Sequence, residues 1–159
     1  MRVMYSGSFD PITKGHLDII YRCSKKFDEV LVVVFDNKSK NHVFCAEERR
    51  DLVERVTYNL ENVTVDLATG MLVEYAKKNH IDVIIRGLRA VSDYEYELKV
   101  AAMNNLLHSD LETLFMVSSP NYSFISSSIV KEIAKLQGEL TQLVPKVVEE
   151  ALINKFKEV

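Results

Sequence analysis

The sequence predicts a single-domain α/β protein: a doubly wound, five-stranded parallel sheet with helices on both faces. Three observations predict it. Short apolar runs alternate with longer segments whose apolar residues recur every three or four positions, the periods of strands and helices. The run at 30–35 is continuously apolar, as a strand buried on both faces of a parallel sheet must be. The chain of 159 residues has no repeat or linker-like stretch, so 1–159 reads as one domain. Each crossover between parallel strands must then pass over a face of the sheet.

The elements follow in order. Residues 3–5 open a first strand, and a helix follows with Leu17, Ile20, Tyr21 and Phe27 on one side. After the strand at 30–35, a helix from about 46 to 59 turns Leu52, Val53, Val56 and Leu60 inward. Its N-cap, Cys45, is a poor capping residue, but Glu48 stands at the reciprocal position of a capping box. Residues 63–67 read as a third strand, 72–79 as a short helix and 81–85 as a fourth strand. Ser92 with Glu95 makes a capping box that opens a long helix through Leu98, Ala102 and Leu106. A fifth strand at 114–117 precedes a helix at 127–136 that Gly138 stops, and Pro145 begins a last helix striped by Val148, Leu152 and Phe156.

Composition narrows the function classes. Hydrophobic residues at 47% and charged residues at 27%, with 5 Gly and 3 Pro, exclude a disordered or collagen-like chain. Twenty basic against 23 acidic side chains leave a net charge of −3, with no global field to hold a nucleic acid, so any anion must be gripped locally. The six-residue run at 30–35 is far short of the roughly 20 apolar residues that span a bilayer. The first ten residues contain Arg2, Gly7 and Asp10 and no signal-peptide core, so a cytoplasmic protein is expected. Cys23 and Cys45 show no metal-binding spacing and read as reduced structural thiols.

Ligands of doubly wound sheets sit beyond the carboxyl ends of the strands. Three segments fall there: 7–16, 86–97 and 118–128. The first reads Tyr5-Ser6-Gly7-Ser8-Phe9-Asp10-Pro11-Ile12-Thr13-Lys14-Gly15-His16, small residues after a strand and a glycine before a helix, which let backbone N–H groups approach a phosphate. It lacks both G-x-x-x-x-G-K-[ST] and G-x-G-x-x-G, so neither a P-loop NTPase nor a dinucleotide-dependent dehydrogenase is supported. The segment alone also fits a tight turn with a histidine filling the helix start.

Thr13-x-Gly15-His16 after the first strand resembles the T/H-x-G-H signature of the nucleotidylyltransferase superfamily. Three further runs narrow the match: Ser8-Phe9-Asp10-Pro11; Arg86-Gly87-Leu88-Arg89-Ala90-Val91 with Asp93-Tyr94-Glu95-Tyr96-Glu97; and Ser123-Phe124-Ile125-Ser126-Ser127-Ser128. Together they resemble the bacterial phosphopantetheine adenylyltransferases, in that family's order and over most of the chain. The resemblance implies a Rossmann-like fold and the transfer of the adenylyl group of ATP to 4′-phosphopantetheine, giving 3′-dephospho-coenzyme A and pyrophosphate without a covalent intermediate. It also implies Mg²⁺ held mainly by the phosphates, with no metal-ligating side chain, and a homohexamer built as a dimer of trimers.

By the same resemblance, His16 stabilises the transition state, and Lys40 and Arg89 complete the catalytic set. Ser8, Lys40, Leu72 and Arg86 would hold phosphopantetheine. Ser8, Phe9, His16, Gly87, Leu88, Arg89, Glu97 and the run Tyr122, Ser123, Phe124, Ile125, Ser126, Ser127, Ser128 would hold ATP. Gly70 stands where many members have Asp, and Met71 falls with it along the pantetheine arm. His42, His80 and His108 carry no motif and read as solvated. The residue types suit the chemistry: the nucleophile is a phosphate with a second pKa of about 6, already ionised at neutral pH. Catalysis is therefore positioning and electrostatic stabilisation, which calls for cations and N–H donors and not for a base or a nucleophilic side chain.

Other readings stay open at this point. A sister enzyme acting on nicotinamide mononucleotide or a polyol phosphate would share T-x-G-H, but the R-G-L-R-A-V run and its Glu-Tyr-Glu favour phosphopantetheine. A class I aminoacyl-tRNA synthetase fragment would need an RNA-binding domain that 159 residues do not hold. A catalytically silent nucleotide sensor would bind ATP without turnover, against the presence of His16, Lys40, Arg86 and Arg89.

Overall fold

In a computed structural model, which describes residues 1–37 and 41–157, the apolar runs become β1 (Arg2–Gly7), β2 (Glu29–Phe35), β3 (Val63–Ala68), β4 (Val83–Leu88) and β5 (Glu112–Val117). They pair in parallel in the order β3-β2-β1-β4-β5. Between them run α1 (Lys14–Ser24), α2 (Ala46–Thr57), α3 (Leu72–Lys78), α4 (Val91–Leu107), α5 (Ser127–Lys135) and α6 (Lys146–Lys157). The doubly wound sheet with helices on both faces is the expected one.

Side-chain alternation assigns the layers, because successive strand residues point to opposite faces. Val3, Tyr5, Val30, Val32, Val34, Val83 and Ile85 join the main core with α1, α2, α5 and α6. Met4, Leu31, Val33 and Ile84 form a smaller core with Val73 and Ala76 of α3. From Val30 to Phe35 β2 is apolar because both of its faces are covered.

Several expectations need correction. The buried stripe of α1 is Gly15, Ile19, Ile20 and Cys23, whereas Tyr21 is exposed and packs under Lys25. The stripe is turned because the helix must place Ile19 against the end of β4. α4 begins at Val91 with Ala90 as N-cap, not at Ser92. Asp93, not Glu95, supplies the capping carboxylate, accepting from the N–H groups of Arg89 and Ala90 at 3.0 and 3.3 Å. Leu98 and Leu106 of this helix are exposed, since α4 lies at the edge of the sheet and covers little of it. β4 runs past residue 85 to Leu88, so Arg86 and Gly87 belong to the strand and not to the loop after it. At α2, Glu48 does accept from the Cys45 N–H, at 2.7 Å.

Candidate active site

The strand order reverses direction at β1: the chain first winds outward through β2 and β3, then returns to place β4 and β5 on the other side. The two crossovers leave in opposite directions there, and a crevice opens beyond the carboxyl ends of β1 and β4. A cavity of about 300 Å³ occupies it, lined by Ser6 and Gly7 of β1, Arg86 and Gly87 of β4, Thr13, Gly15 and His16 at the start of α1, and Ser126–Ser128 at the start of α5, with Arg89, Ser118 and Ile125. Two helix N-termini thus converge on one space, each carrying unpaired N–H groups and about half a positive charge toward an anion.

His16 is fixed from three sides. Its Nδ1 accepts from the Thr13 N–H at 3.1 Å, and the Thr13 hydroxyl lies 3.1 Å from the same nitrogen and accepts from the His16 N–H at 3.3 Å. The buried Phe9 ring meets the imidazole edge to face, at 5.2 Å between centroids. Burial, followed by the positive charge of Arg89, pushes its pKa down to about 4. The ring is therefore neutral at pH 7, and with Nδ1 accepting, the proton sits on Nε2.

Arg86 is held as firmly. Its Nε and Nη2 donate to the two carboxylate oxygens of Glu97 at 2.6 and 2.7 Å, and its Nη1 donates to the Ser6 hydroxyl and carbonyl at 3.2 and 3.3 Å. Burial works against the Arg86 charge, but the bonds to Glu97 outweigh it and raise its pKa. Arg89 is looser, donating to the Ile125 carbonyl at 3.2 Å and lying 3.4 Å from Asp93. Gly87 leaves space for a neighbour: a Cβ there would come within 2.6 Å of Ile19 Cδ1. Gly70, in the turn before α3, has φ of +87°, in the left-handed region that favours glycine.

Of the residues expected from sequence, His16, Arg86, Gly87, Arg89, Ile125, Ser126, Ser127 and Ser128 come together around the cavity. Phe9 does not line it but buttresses His16. Glu97 reaches it through Arg86. Ser8 stands behind it, its carbonyl accepting from Arg49 at 2.8 Å. Tyr122 packs on the main core, the Ser123 hydroxyl donates to the Pro120 carbonyl, and Phe124 is exposed. Leu88 lies at the end of β4, outside the lining, and Leu72 packs against the smaller core, also outside the lining. Lys40 lies outside the described residues. Ser126 also caps α5, accepting from the Ile129 N–H at 3.2 Å, and the Ser127 hydroxyl donates to the Pro11 carbonyl at 2.8 Å.

Sequence reasoning missed a second tier. The fully buried Arg49 donates to the carbonyls of Ser8, Phe35 and Phe44 and pairs with Asp36 at 2.6 Å. Asp10, 3% exposed, accepts from the Val43 and Phe44 N–H groups at 3.1 and 3.0 Å and pairs with Lys131 at 2.9 Å. Burial alone would raise the Asp10 pKa; the bonds from Phe44, Lys131 and Val43 overcome it and hold the pKa below the ordinary carboxylate value. His42 is not solvated as expected: its Nδ1 stands 3.4 Å from Asp10 and the side chain is nearly covered. Ser6, which also lines the cavity, lay outside the expected segments, and Thr13 and Ser118 lay within them but carried no expected role.

A doubly wound sheet with two helix N-termini and two arginines at its switch point is the arrangement in which such folds hold phosphate-bearing ligands. The chain matches the cytidylyltransferase-like family over residues 4–133 and belongs to it, which makes it a nucleotidyltransferase. Solved structures share its fold. A protein from Vibrio parahaemolyticus assigned as a nicotinate-nucleotide adenylyltransferase superposes with a TM-score of 0.75 at 16% identity, covering 99% of this chain and 96% of that one. The Plasmodium falciparum nicotinic acid mononucleotide adenylyltransferase complexed with NaAD gives 0.69 at 16% identity, over 96% and 94%. A lipopolysaccharide core biosynthesis protein from Thermoplasma volcanium gives 0.57 at 23% identity, over 75% and 98%. Among the described residues, no helix is long and apolar enough to cross a membrane.

Proposed function

We propose that this protein transfers the adenylyl group of ATP to 4′-phosphopantetheine, yielding 3′-dephospho-coenzyme A and pyrophosphate. The observation that carries this reading is the meeting of Arg86, Arg89 and a neutral His16 with two helix N-termini in one cavity, on the motifs that resemble phosphopantetheine adenylyltransferases. A phosphate oxygen of the acceptor attacks the α-phosphorus of ATP; the bond to the α–β bridging oxygen breaks, and pyrophosphate leaves with that electron pair. The acceptor phosphate is already ionised near pH 7, so no general base is required. The neutral His16 donates its Nε2 proton in a hydrogen bond to an α-phosphoryl oxygen as charge builds, without transferring it. Arg89 and the start of α5 grip the triphosphate, and Arg86 with Lys40 grips the acceptor phosphate.

The donor set fits Mg²⁺ carried by ATP itself, where it neutralises triphosphate charge. The cavity presents cations and hydroxyls, and Glu97 has both oxygens on Arg86. The reading also carries a cytoplasmic homohexamer, a dimer of trimers, which the apolar outer face of α4 supports.

A second acceptor, nicotinate mononucleotide, is favoured by the names of the two structural relatives that superpose best of those described here. It too attacks through a phosphate monoester, so the same site geometry serves it. The deciding experiment follows pyrophosphate release from ATP with 4′-phosphopantetheine, nicotinate mononucleotide or glycerol 3-phosphate as acceptor. Turnover with the first and not the others is the expected result; turnover only with nicotinate mononucleotide transfers the assignment to the second reading.

A further inference from the structure

Resemblance gives Glu97 a place among the ATP contacts, but its geometry serves another purpose. Both carboxylate oxygens lie on the Nε–Nη2 edge of Arg86, and both side chains are mostly buried. The partners come from different elements, Arg86 from the end of β4 and Glu97 from the second turn of α4. The remaining nitrogen of the fork, Nη1, is fixed on Ser6 at the end of β1. The guanidinium plane is therefore set by three elements before any ligand arrives.

We propose that Glu97 is a positioning residue: together with Ser6 it fixes the guanidinium of Arg86 so that the Nη2–H left over by those bonds meets the phosphate monoester of the acceptor. This rests on the reading of Arg86 as the acceptor-phosphate ligand. A free arginine must lose the freedom of four side-chain torsions when it binds an anion; a clamped one has lost it already, and the gain appears as acceptor affinity. The bidentate pair sets the plane of the fork as well as its position. The buried carboxylate also balances the guanidinium, so neither charge is left alone in the empty site. Lysine at position 86 would have one nitrogen and no edge to clamp.

The test begins with the wild-type protein and whichever acceptor it turns over. Glu97→Gln keeps the shape and one acceptor oxygen but breaks the charged two-point clamp. Glu97→Asp keeps the charge and withdraws it by one methylene, and serves if the first variant folds poorly. Either is expected to raise the acceptor KM about tenfold with the Kd for ATP changed less than about twofold. The effect should vanish when the same change is made in an Arg86→Lys background. A rise in the ATP Kd with an unchanged acceptor KM would overturn the proposal and make Glu97 an ATP ligand. If no acceptor turns over, the functional reading fails by itself, and the clamp is judged from the Arg86 Nε–H resonance in the ¹⁵N spectrum. A slowly exchanging signal in the wild type that is lost in Glu97→Gln supports the clamp; fast exchange in both refutes it.

Discussion

His16 keeps its proton on one nitrogen because the other accepts a hydrogen bond from its own helix cap. Its role in the proposed reaction is a contact that strengthens as the α-phosphorus becomes five-coordinate. His16→Ala should therefore lower kcat by roughly 10²-fold while the Kd for ATP changes little, in steady-state turnover and equilibrium titration. The same residue has a signature in stability. Its native pKa is about 4 against 6.5 for the free imidazole. As pH falls from 6.5 toward 4, the unfolded chain takes up a proton that the native ring refuses, so stability drops across that window and is unaffected above it. In urea unfolding over that range, His16→Gln should lose less stability on acidification than the wild type. An equal loss in both would place the titration elsewhere. At this scale, the histidine was legible in T-x-G-H, whereas Arg49 was not read, although its spacing to Leu52, Val53 and Val56 puts it on the buried face of its helix. Adjacent Arg50 pairs with Glu54 on the outside, and composition treats the two arginines alike.

Buried charge holds the described ends of the connection from β2 to α2, at Phe35–Asp36 and at Val43–Phe44. Arg49 ties Phe35 and Phe44 to Ser8, and Asp10 ties Val43 and Phe44 to Lys131 of α5. Asp10→Ala would orphan two backbone N–H groups and an ammonium, and should cost about 2–4 kcal/mol in urea denaturation. Lys131→Met, which removes the more exposed partner, should cost about 1 kcal/mol or less. A smaller effect at Asp10 than at Lys131 would show that the backbone bonds do not hold the Val43–Phe44 end. Periodicity found most elements because burial writes a period of 2 or 3.6 into the chain; α4 is the exception, since Leu98 and Leu106, read as its stripe, are exposed. It stopped β4 short at residue 85, since Arg86 and Gly87 face a cavity and carry no apolar signal. It placed the cap of α4 at Ser92 because serine caps commonly, while the carboxylate of Asp93 outcompetes it.

At the scale of the molecule, the doubly wound parallel architecture followed from the rhythm of strands and helices, and with it the expectation of a site beyond the strand ends; the strand order β3-β2-β1-β4-β5 did not. The acceptor did not, because a phosphate monoester offers the same handle in several metabolites. The outer surface carries a second message. Val91, Tyr96, Leu106 and Leu107 of α4 and Val117 of β5 are exposed, apolar side chains that a second copy of the chain would cover. The protein should therefore sediment as an oligomer, six-fold by the resemblance, and Leu106→Asp with Leu107→Asp should give smaller species in analytical ultracentrifugation. A monomeric wild type at micromolar concentration would refute the assembly.

Segments far apart in the sequence also meet around the cavity: Lys131 reaches Asp10, Ser127 reaches Pro11, and the Lys14 N–H reaches the Leu143 carbonyl. On a ribosome, strands β1–β5 therefore emerge before the first loop has these partners, and the cavity gains its Ser126–Ser128 wall only once α5 has followed them.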